Sequence, residues 1–219
     1  MSTPVLDLFR PLAHALARGY FGLDLHGVEN IPTTGPVLIT PNHQTYADPP
    51  LVSLPVRRPV HYMAWSRLFQ VPVFGQVIRL LRAFPVDIDS TDSRATREAV
   101  RLLQAGAAVM IFPEGGRSLD GRIGRFRAGA FRLAVAVRAP VLPVTIVGGH
   151  QAWPPQRLLP RRARIAITYH PLQWSDPSLG PREAARQLAA RTQQAIISAL
   201  EHPGGAGADA QSRGRSTTR

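Results

Sequence analysis

The chain contains no cysteine and no lysine. Without cysteine, a disulfide bond, a thiolate nucleophile and a cysteine-based metal site are all excluded. Because lysine is absent, all 26 basic residues are arginine, and they outnumber the 14 acidic residues to give a net charge of +12. This charge favours anionic partners, which include lipid headgroups, phosphate-bearing small molecules and nucleic acid.

Long apolar runs are missing as well. The two longest stretches free of Asp, Glu and Arg are residues 30–47 and 139–156, and prolines and polar side chains interrupt both. Neither stretch predicts a membrane-spanning helix. Asp7 and Arg10 fall where a signal peptide needs its apolar region, so the sequence does not predict secretion. A chain of 219 residues, 44% of them hydrophobic, predicts one domain with a substantial core.

Short apolar runs alternate with stretches of helical periodicity along most of the chain. Strands are expected near residues 22–26, 36–40, 60–64, 83–87, 107–112, 141–147 and 163–169, and helices near 46–54, 73–81, 92–105, 126–138 and 181–200. This alternation predicts a single α/β domain, over residues 21–202, with a largely parallel or mixed sheet flanked by helices. Residues 203–219 are rich in Gly, Ala and Ser and predict a disordered tail.

Residues 1–20 are expected to contain an N-terminal amphipathic helix. Its apolar side comprises Val5, Phe9, Leu12, Leu16 and Tyr20, and its polar side comprises Asp7, Arg10, His14 and Arg18. Pro11 is expected to kink or restart this helix. Two interpretations stay open: an ordinary surface helix that packs its apolar stripe on the domain, or a helix that lies in a membrane interface.

Two loops with titratable side chains follow two of the apolar runs. Residues 42–50 read NHQTYADPP and follow the run 37–40, while residues 112–118 read FPEGGRS and follow the run 107–111. Loops at strand ends are where open α/β sheets bind ligands. His43 and Asp48 would lie about 140° apart on one continuous helix. They can meet only if His43 sits in the loop and Asp48 in the turn beyond it, which the nearby prolines favour.

Together these blocks resemble those of the glycerolipid acyltransferases, the family that includes 1-acylglycerol-3-phosphate acyltransferases. In that family an N-H-x-S-x-x-D block precedes an F-P-E-G-x-R-S block and a V-P-V strand. Here they read NHQTYAD, FPEGGRS and, at residues 141–144, VLPV, and the likeness covers roughly residues 20–170. Thr45 stands where Ser is commoner, and Gly116 where Thr is commoner. The family's second block usually ends in an arginine that holds the acceptor's phosphate, but here that place is Ile88, with Arg82 at the other end of the block.

The resemblance implies an acyltransferase domain that moves an acyl chain from acyl-CoA or acyl carrier protein to the free hydroxyl of a lysophospholipid. The preferred acceptor is 1-acylglycerol-3-phosphate, which would give phosphatidic acid. His43 is the expected general base and Asp48 its orienting partner. The residues expected to bind the acceptor are Glu114, Gly115, Gly116, Arg117 and, as a helper, Arg82. No metal or bound cofactor is expected. The protein is expected to bind an anionic membrane surface, as a peripheral, monotopic enzyme on the cytoplasmic face.

Several alternatives stay open. The departure at Ile88 allows a different lysolipid acceptor, and the same fold could belong to a catalytically silent lipid-binding protein. Glu114 and Arg117 could form a purely structural ion pair. Nucleic-acid binding is not expected, because no RNP-like block, zinc spacing or basic helix with interleaved aromatics is found. A metal hydrolase is disfavoured because no second nearby His or Cys completes a ligand set around His43.

Overall fold

The protein is described by a computed structural model that covers residues 4–87 and 93–201. Side chains are described from Phe9 onwards in the first segment and from Arg94 onwards in the second. Ile88 and the predicted disordered tail at residues 203–219 lie outside the described residues.

A seven-stranded mixed sheet forms the centre of the domain. Its strands are β1 (Asp24–His26), β2 (Val37–Pro41), β3 (Val60–Trp65), β4 (Ala83–Val86), β5 (Ala108–Met110), β6 (Val141–Val147) and β7 (Ala166–Tyr169). The order across the sheet is β1-β7-β6-β2-β5-β3-β4. Among the strands of the described residues, only the pair β6–β7 is antiparallel, and the other five neighbouring pairs are parallel. The predicted fold class is therefore confirmed, and a strand forms at each of the seven expected places.

Helices cover both faces of the sheet. They are α1 (Pro4–Phe21), α2 (Asp48–Ser53), α3 (Phe74–Leu80), α4 (Ser93–Gln104), α5 (Ala128–Val137), α6 (Gly149–Ala152) and α7 (Pro181–Glu201), with short 3-10 helices at Val28–Asn30 and Ser66–Gln70. The sequence did not predict α6 or the two 3-10 helices, because such short elements carry no measurable periodicity. None of the helices in the described part of the chain is long and apolar enough to cross a membrane.

Two apolar cores lie on opposite faces of the sheet, and β2 contributes to both. Val37 and Ile39 point into one core, towards α1 and α2, whereas Leu38 points into the other, towards α4, α5 and α7. All five residues of β2 are buried. Buried on both faces, β2 reads as a continuous apolar run rather than an alternating one. A strand held this firmly gives the loop that follows it a fixed starting point.

The apolar face of one terminal helix is buried against the sheet, and that of the other is exposed. α7 buries its apolar face, including Leu188 and Ile196, against the sheet. α1 runs without a break through Pro11 and turns Ala17 inwards, while Leu16 is 63% exposed and Phe9 and Leu12 also face outwards. The interpretation that α1 packs its apolar stripe on the domain is therefore wrong. A helix that faces its apolar stripe away from the core needs another apolar partner.

Candidate active site

Three parallel strands end at one edge of the sheet and bring the two candidate loops together. β2 pairs in parallel with both β5 and β6, so their carboxyl ends point the same way. His43 follows β2, and the segment Phe112–Ser118 follows β5. The backbone N–H of Ser118 donates to the carbonyl oxygen of His43 over 2.8 Å. This edge therefore brings the two blocks into contact.

Asn42 fixes the start of the first loop. Its Nδ2 donates to the carbonyl oxygen of Ile146 over 3.0 Å, and its Oδ1 accepts from the N–H of Ile146 over 2.7 Å. The buried side chain thus pairs with the N–H and C=O of Ile146, the backbone groups that would bind the next residue if β2 continued. The loop leaves the sheet at a defined point, immediately before His43.

His43 and Asp48 form the pair that the sequence predicts. His43 lies in the loop, Asp48 is the first residue of α2, and His43 Nδ1 lies 2.9 Å from Asp48 Oδ2. The loop break before the helix, flanked by Pro41 and Pro49, lets the two side chains meet. His43 Nε2 has no hydrogen-bonding partner among the described residues, and 17% of the side chain is exposed. The second ring nitrogen is therefore available to a substrate.

Asp48 is wholly buried, and four donors surround its carboxylate. Oδ2 accepts from the backbone N–H groups of Gln44 (2.6 Å) and Thr45 (2.8 Å), as well as facing the ring of His43. Oδ1 accepts from the hydroxyl of Thr45 over 2.7 Å. A carboxylate surrounded by donors acts only as an acceptor, so the imidazole carries its proton on Nδ1. Asp48 therefore sets both the tautomer and the orientation of His43.

The ring of His43 is also held by an aromatic contact. It stacks on Phe112, with ring centroids 3.8 Å apart and planes 22° from parallel. Phe112 is the first residue of the second block, so each block contributes to the placement of the imidazole. Stacking on one face and the carboxylate at Nδ1 together leave the Nε2 edge open.

Glu114 binds backbone groups instead of Arg117. Its Oε1 accepts from the N–H of His43 and its Oε2 from the N–H of Gly124, each over 2.7 Å. No ion pair joins Glu114 to Arg117 in the described part of the chain, so the alternative of a purely structural pair is not found. Burial raises the pKa of Glu114, and the two backbone hydrogen bonds partly oppose that shift. Glu114 therefore connects the His43 loop to the segment around Gly124 through two backbone hydrogen bonds.

The two glycines of the second block have different surroundings. Gly115 adopts a left-handed conformation (φ 79°), its N–H donates to Phe112, and a Cβ there would lie 2.9 Å from the guanidinium of Arg127. Its N–H is therefore occupied by the turn and not free for a phosphate. Gly116 is exposed, and a Cβ added there would meet nothing within 4 Å.

Arg117 presents a cation that the described residues do not saturate. Its guanidinium carbon lies 3.5 Å from the ring centroid of Tyr46, as in a cation–π contact. Its Nη1 is buried and has no hydrogen-bond partner within the described ranges. A buried donor without an acceptor is costly, which is typical of a site that a ligand completes.

The structure does not bring Arg82 to this site. Arg82 precedes β4, which lies three strands from β2. The register of the strands between them places Ala83 beside Tyr62 and at the same height along the strand direction as Ile39. His43 lies four residues beyond Ile39, or about 13 Å further along the strand direction at the usual rise per residue. Arg82 instead lines a depression beside α1. The neighbouring Ile88, where the family carries an arginine, lies outside the described residues.

Sequence reasoning missed the roles of Tyr46, Phe112 and Asn42, although all three belong to the quoted blocks. Tyr46 is in edge contact with Phe74 and Trp153, with each pair of ring centroids 6.3 Å apart. An aromatic residue beside a candidate base was the available signal for Tyr46. Within the described ranges, no group of three or more His, Cys, Asp or Glu side chains could hold a metal ion.

Comparisons with known proteins point to one family. The model of the Acyltransferase family matches residues 22–147. The 1-acyl-sn-glycerol-3-phosphate acyltransferase of Pseudomonas aeruginosa is 31% identical over 167 residues, covering 74% of this chain and 63% of that protein. The chloroplastic 1-acyl-sn-glycerol-3-phosphate acyltransferase BAT2 of Brassica napus is 29% identical, over 78% of this chain and 51% of its own length. The chain spans about half the length of its curated plant and algal relatives.

A solved structure extends the likeness to three dimensions. The crystal structure of the 1-acyl-sn-glycerophosphate (LPA) acyltransferase PlsC from Thermotoga maritima superposes with a TM-score of 0.74 at 26% identity. The match covers 93% of this chain and 80% of that one. The shared fold thus extends over most of the chain.

Proposed function

The chain belongs to the acyltransferase family, and from this premise we propose that it transfers an acyl chain from a thioester donor to the free hydroxyl of a lysophospholipid. The observation that carries the proposal is the His43–Asp48 pair, with its Nε2 edge open beside the loop of Arg117. The relatives named above act, by their names, on 1-acyl-sn-glycerol-3-phosphate. We take that lysolipid as the acceptor and phosphatidic acid as the product.

The chemistry needs one general base. His43 Nε2 takes the proton of the acceptor hydroxyl as its oxygen attacks the thioester carbonyl, a contribution typically worth about 10² to 10⁴ in rate. Asp48 stabilises the imidazolium that forms, because its buried carboxylate already faces Nδ1. The C–S bond then breaks and the thiol leaves with the proton. The acyl group passes directly to the hydroxyl, and the residues in place call for neither a metal nor a bound cofactor.

Acceptor recognition is assigned to Arg117. Its Nη1 lacks an acceptor among the described residues, and Tyr46 holds the guanidinium plane from one side. A phosphate would supply the missing acceptor through charge-assisted hydrogen bonds, which are the strong ones. Glu114 serves this function indirectly, because it orders the loop backbone on either side. Arg82 has no part in this assignment, because it lies away from the loops.

The acceptor resides in a bilayer, and α1 offers a way to reach it. Its outward apolar stripe, with Phe9, Leu12 and Leu16, fits the acyl region of a membrane interface. The net charge of +12 adds attraction to anionic headgroups. We therefore propose peripheral, monotopic binding on the cytoplasmic leaflet. Replacing Phe9 and Leu12 by Ser should reduce the vesicle binding that survives high salt.

One activity screen tests the proposed function. A panel of lysolipids is offered with acyl-CoA and with acyl carrier protein donors, and products are identified by mass spectrometry. We expect phosphatidic acid from 1-acylglycerol-3-phosphate with the wild-type chain and none with His43→Ala. Transfer to a different lysolipid would correct the acceptor and keep the reaction. Binding of lysolipids without transfer from any donor would identify a silent lipid-binding protein instead.

A further inference from the structure

The hairpin that follows β3 exposes a second apolar face. The 3-10 helix Ser66–Gln70 turns into α3, in which Val77 and Leu80 share one side at helical spacing, and Val73 lies in the turn immediately before α3. All three side chains point outwards, and Val73 is 72% exposed. We refer to these three residues as the hairpin face. An exposed group of apolar side chains of this kind is typical of an interaction site.

The hairpin face is held in place and is not a loose loop. Gly75 is buried, and a Cβ there would lie 2.4 Å from the carbonyl oxygen of Phe69, so α3 closes tightly on the 3-10 helix. The guanidinium of Arg79 lies 5.3 Å from the centre of the Phe69 ring on the same hairpin. These contacts fix the direction in which the three apolar side chains project.

Val73 occupies a strained backbone conformation. Its φ and ψ are 65° and −56°, and the N–H of Phe74 donates to the carbonyl oxygen of Pro72 over 2.7 Å, which closes a γ-turn around Val73. Positive φ is a genuine outlier for a β-branched residue, whereas glycine adopts it freely. Backbone strain of this kind is typical of functional segments, and here the strained residue presents an exposed apolar side chain.

Charge decides which partner fits. From residue 49 to residue 86 the chain has no Asp or Glu and five arginines. A partner for this segment must therefore offer negative charge together with apolar depth, and an anionic bilayer offers both.

We propose that the hairpin face is a second membrane-contacting surface, which docks on an anionic bilayer together with α1. Leu81, the residue that follows α3, lines the same depression as Phe9 and Ala13 of α1. Phe74, within the hairpin, packs against Tyr46 near His43. Docking through both surfaces turns the mouth of the site towards the lipid, and this consequence rests on the proposed function. The docking itself can be measured without turnover.

The absence of cysteine makes the test direct, because one introduced cysteine is a unique labelling position. Val73→Cys, Phe9→Cys and Trp174→Cys are each labelled with an environment-sensitive fluorophore and mixed with phosphatidylglycerol vesicles that carry lipid-borne quenchers. Trp174 is the control, because it is 57% exposed and its carbonyl oxygen accepts from Arg191 of α7, which packs on the face of the sheet opposite α1. We expect a blue shift and quenching at positions 9 and 73 and neither at 174.

Each other outcome overturns the proposal in a recognisable way. A probe at 73 that stays in water while the probe at 9 enters lipid would leave α1 as the docking element. Probes that both stay in water would reject membrane docking and, with it, the peripheral binding under the proposed function. A shift at 73 produced by an acidic carrier protein and not by vesicles would make the hairpin face a protein-docking surface.

A second variant separates docking from folding. Val73→Gly removes the apolar side chain and relieves the positive φ, so its melting temperature should be equal to or above that of the wild type. We expect its vesicle affinity to fall by about threefold to tenfold, since one exposed aliphatic contact is lost. Turnover on a short-chain, water-soluble acceptor should be unchanged. Unchanged vesicle affinity in this variant would contradict the proposal.

Discussion

The loop after β2 and the loop after β5 meet at one edge of the sheet but differ in how far their polar groups are satisfied. In the first, Asn42 is paired with Ile146 through both atoms of its amide, and the buried carboxylate of Asp48 is surrounded by four donors. In the second, Arg117 keeps a buried Nη1 without a partner among the described residues. The amide of Asn42 and the carboxylate of Asp48 thus find their partners within the protein, whereas the buried Nη1 of Arg117 has a position that an anion would fill.

This difference assigns separate tasks to the two loops. A saturated network positions a base before the substrate arrives, so its loss should lower kcat. An unsaturated cation gains its partner only on binding, so its loss should raise KM with a smaller effect on kcat. The predictions below test that division, beginning with the largest effect.

His43→Ala should lower kcat by about 10³-fold or more, because it removes the proposed general base and its activation of the hydroxyl. The melting temperature should barely change, because a partly exposed loop side chain contributes little to the core. Steady-state kinetics and thermal unfolding of the same preparation check both expectations. Retention of more than a few per cent of the rate would remove His43 from the chemistry.

Asp48→Asn should lower kcat by about 10²-fold or more, because a neutral amide no longer stabilises the imidazolium and can turn a donor towards Nδ1. It should also lower the free energy of unfolding by about 1–3 kcal/mol, since a buried acceptor for several donors is lost. Asp120→Asn is the matched control: its exposed carboxylate pairs only locally, with Ser118 and Arg122. Equal kinetic effects in both variants would contradict the assignment.

Arg117→Ala should raise KM for a phosphate-bearing lysolipid by about tenfold to a hundredfold, because one charge-assisted contact is lost. Arg117→Lys should recover only part, because an ammonium cannot form two parallel hydrogen bonds. Arg122→Ala, an exposed arginine of the same segment, is the matched control and should leave KM unchanged. An unaltered KM in Arg117→Ala would place the phosphate elsewhere.

Tyr46→Leu should raise KM by about threefold to tenfold, because the cation–π contact that holds Arg117 is worth roughly 0.5–2 kcal/mol. Tyr46→Phe keeps the ring face and should behave like the wild type. In an Arg117→Ala background, Tyr46→Leu should have no further effect on KM. Additive effects of the two substitutions would show that Tyr46 acts independently of Arg117.

Glu114 links the two loops, and its predicted effect is the smallest. It should appear as a dependence of the free energy of unfolding on pH. Burial raises its pKa in the native state, so the native state holds the proton more tightly than the unfolded chain does. Its contribution to stability should therefore be present below its ordinary pKa and be lost as the pH rises through the raised native pKa. Denaturant titrations across this window should show the slope in the wild type and not in Glu114→Gln.

Much of this comparison could be predicted from the sequence, and the missing part has a common physical cause. Apolar runs bounded by Gly and Pro located the strands, and the spacing of His43 and Asp48 around prolines predicted a loop residue facing the start of a helix. The partners of Glu114 and Arg117 could not be predicted, because Gly124 and Tyr46 meet them only through tertiary packing. Periodicity likewise predicted the amphipathic character of α1, but not which side faces the domain.

The most direct test of the division between the two loops compares two acceptors that differ only by a phosphate. 1-Acylglycerol-3-phosphate and the matching monoacylglycerol are assayed with the wild type, His43→Ala and Arg117→Ala. We expect the wild type to prefer the phosphate-bearing acceptor in kcat/KM, Arg117→Ala to lose that preference while keeping turnover, and His43→Ala to lose activity on both. Arg117→Ala that keeps the full preference, or His43→Ala that keeps turnover on either acceptor, would contradict the account.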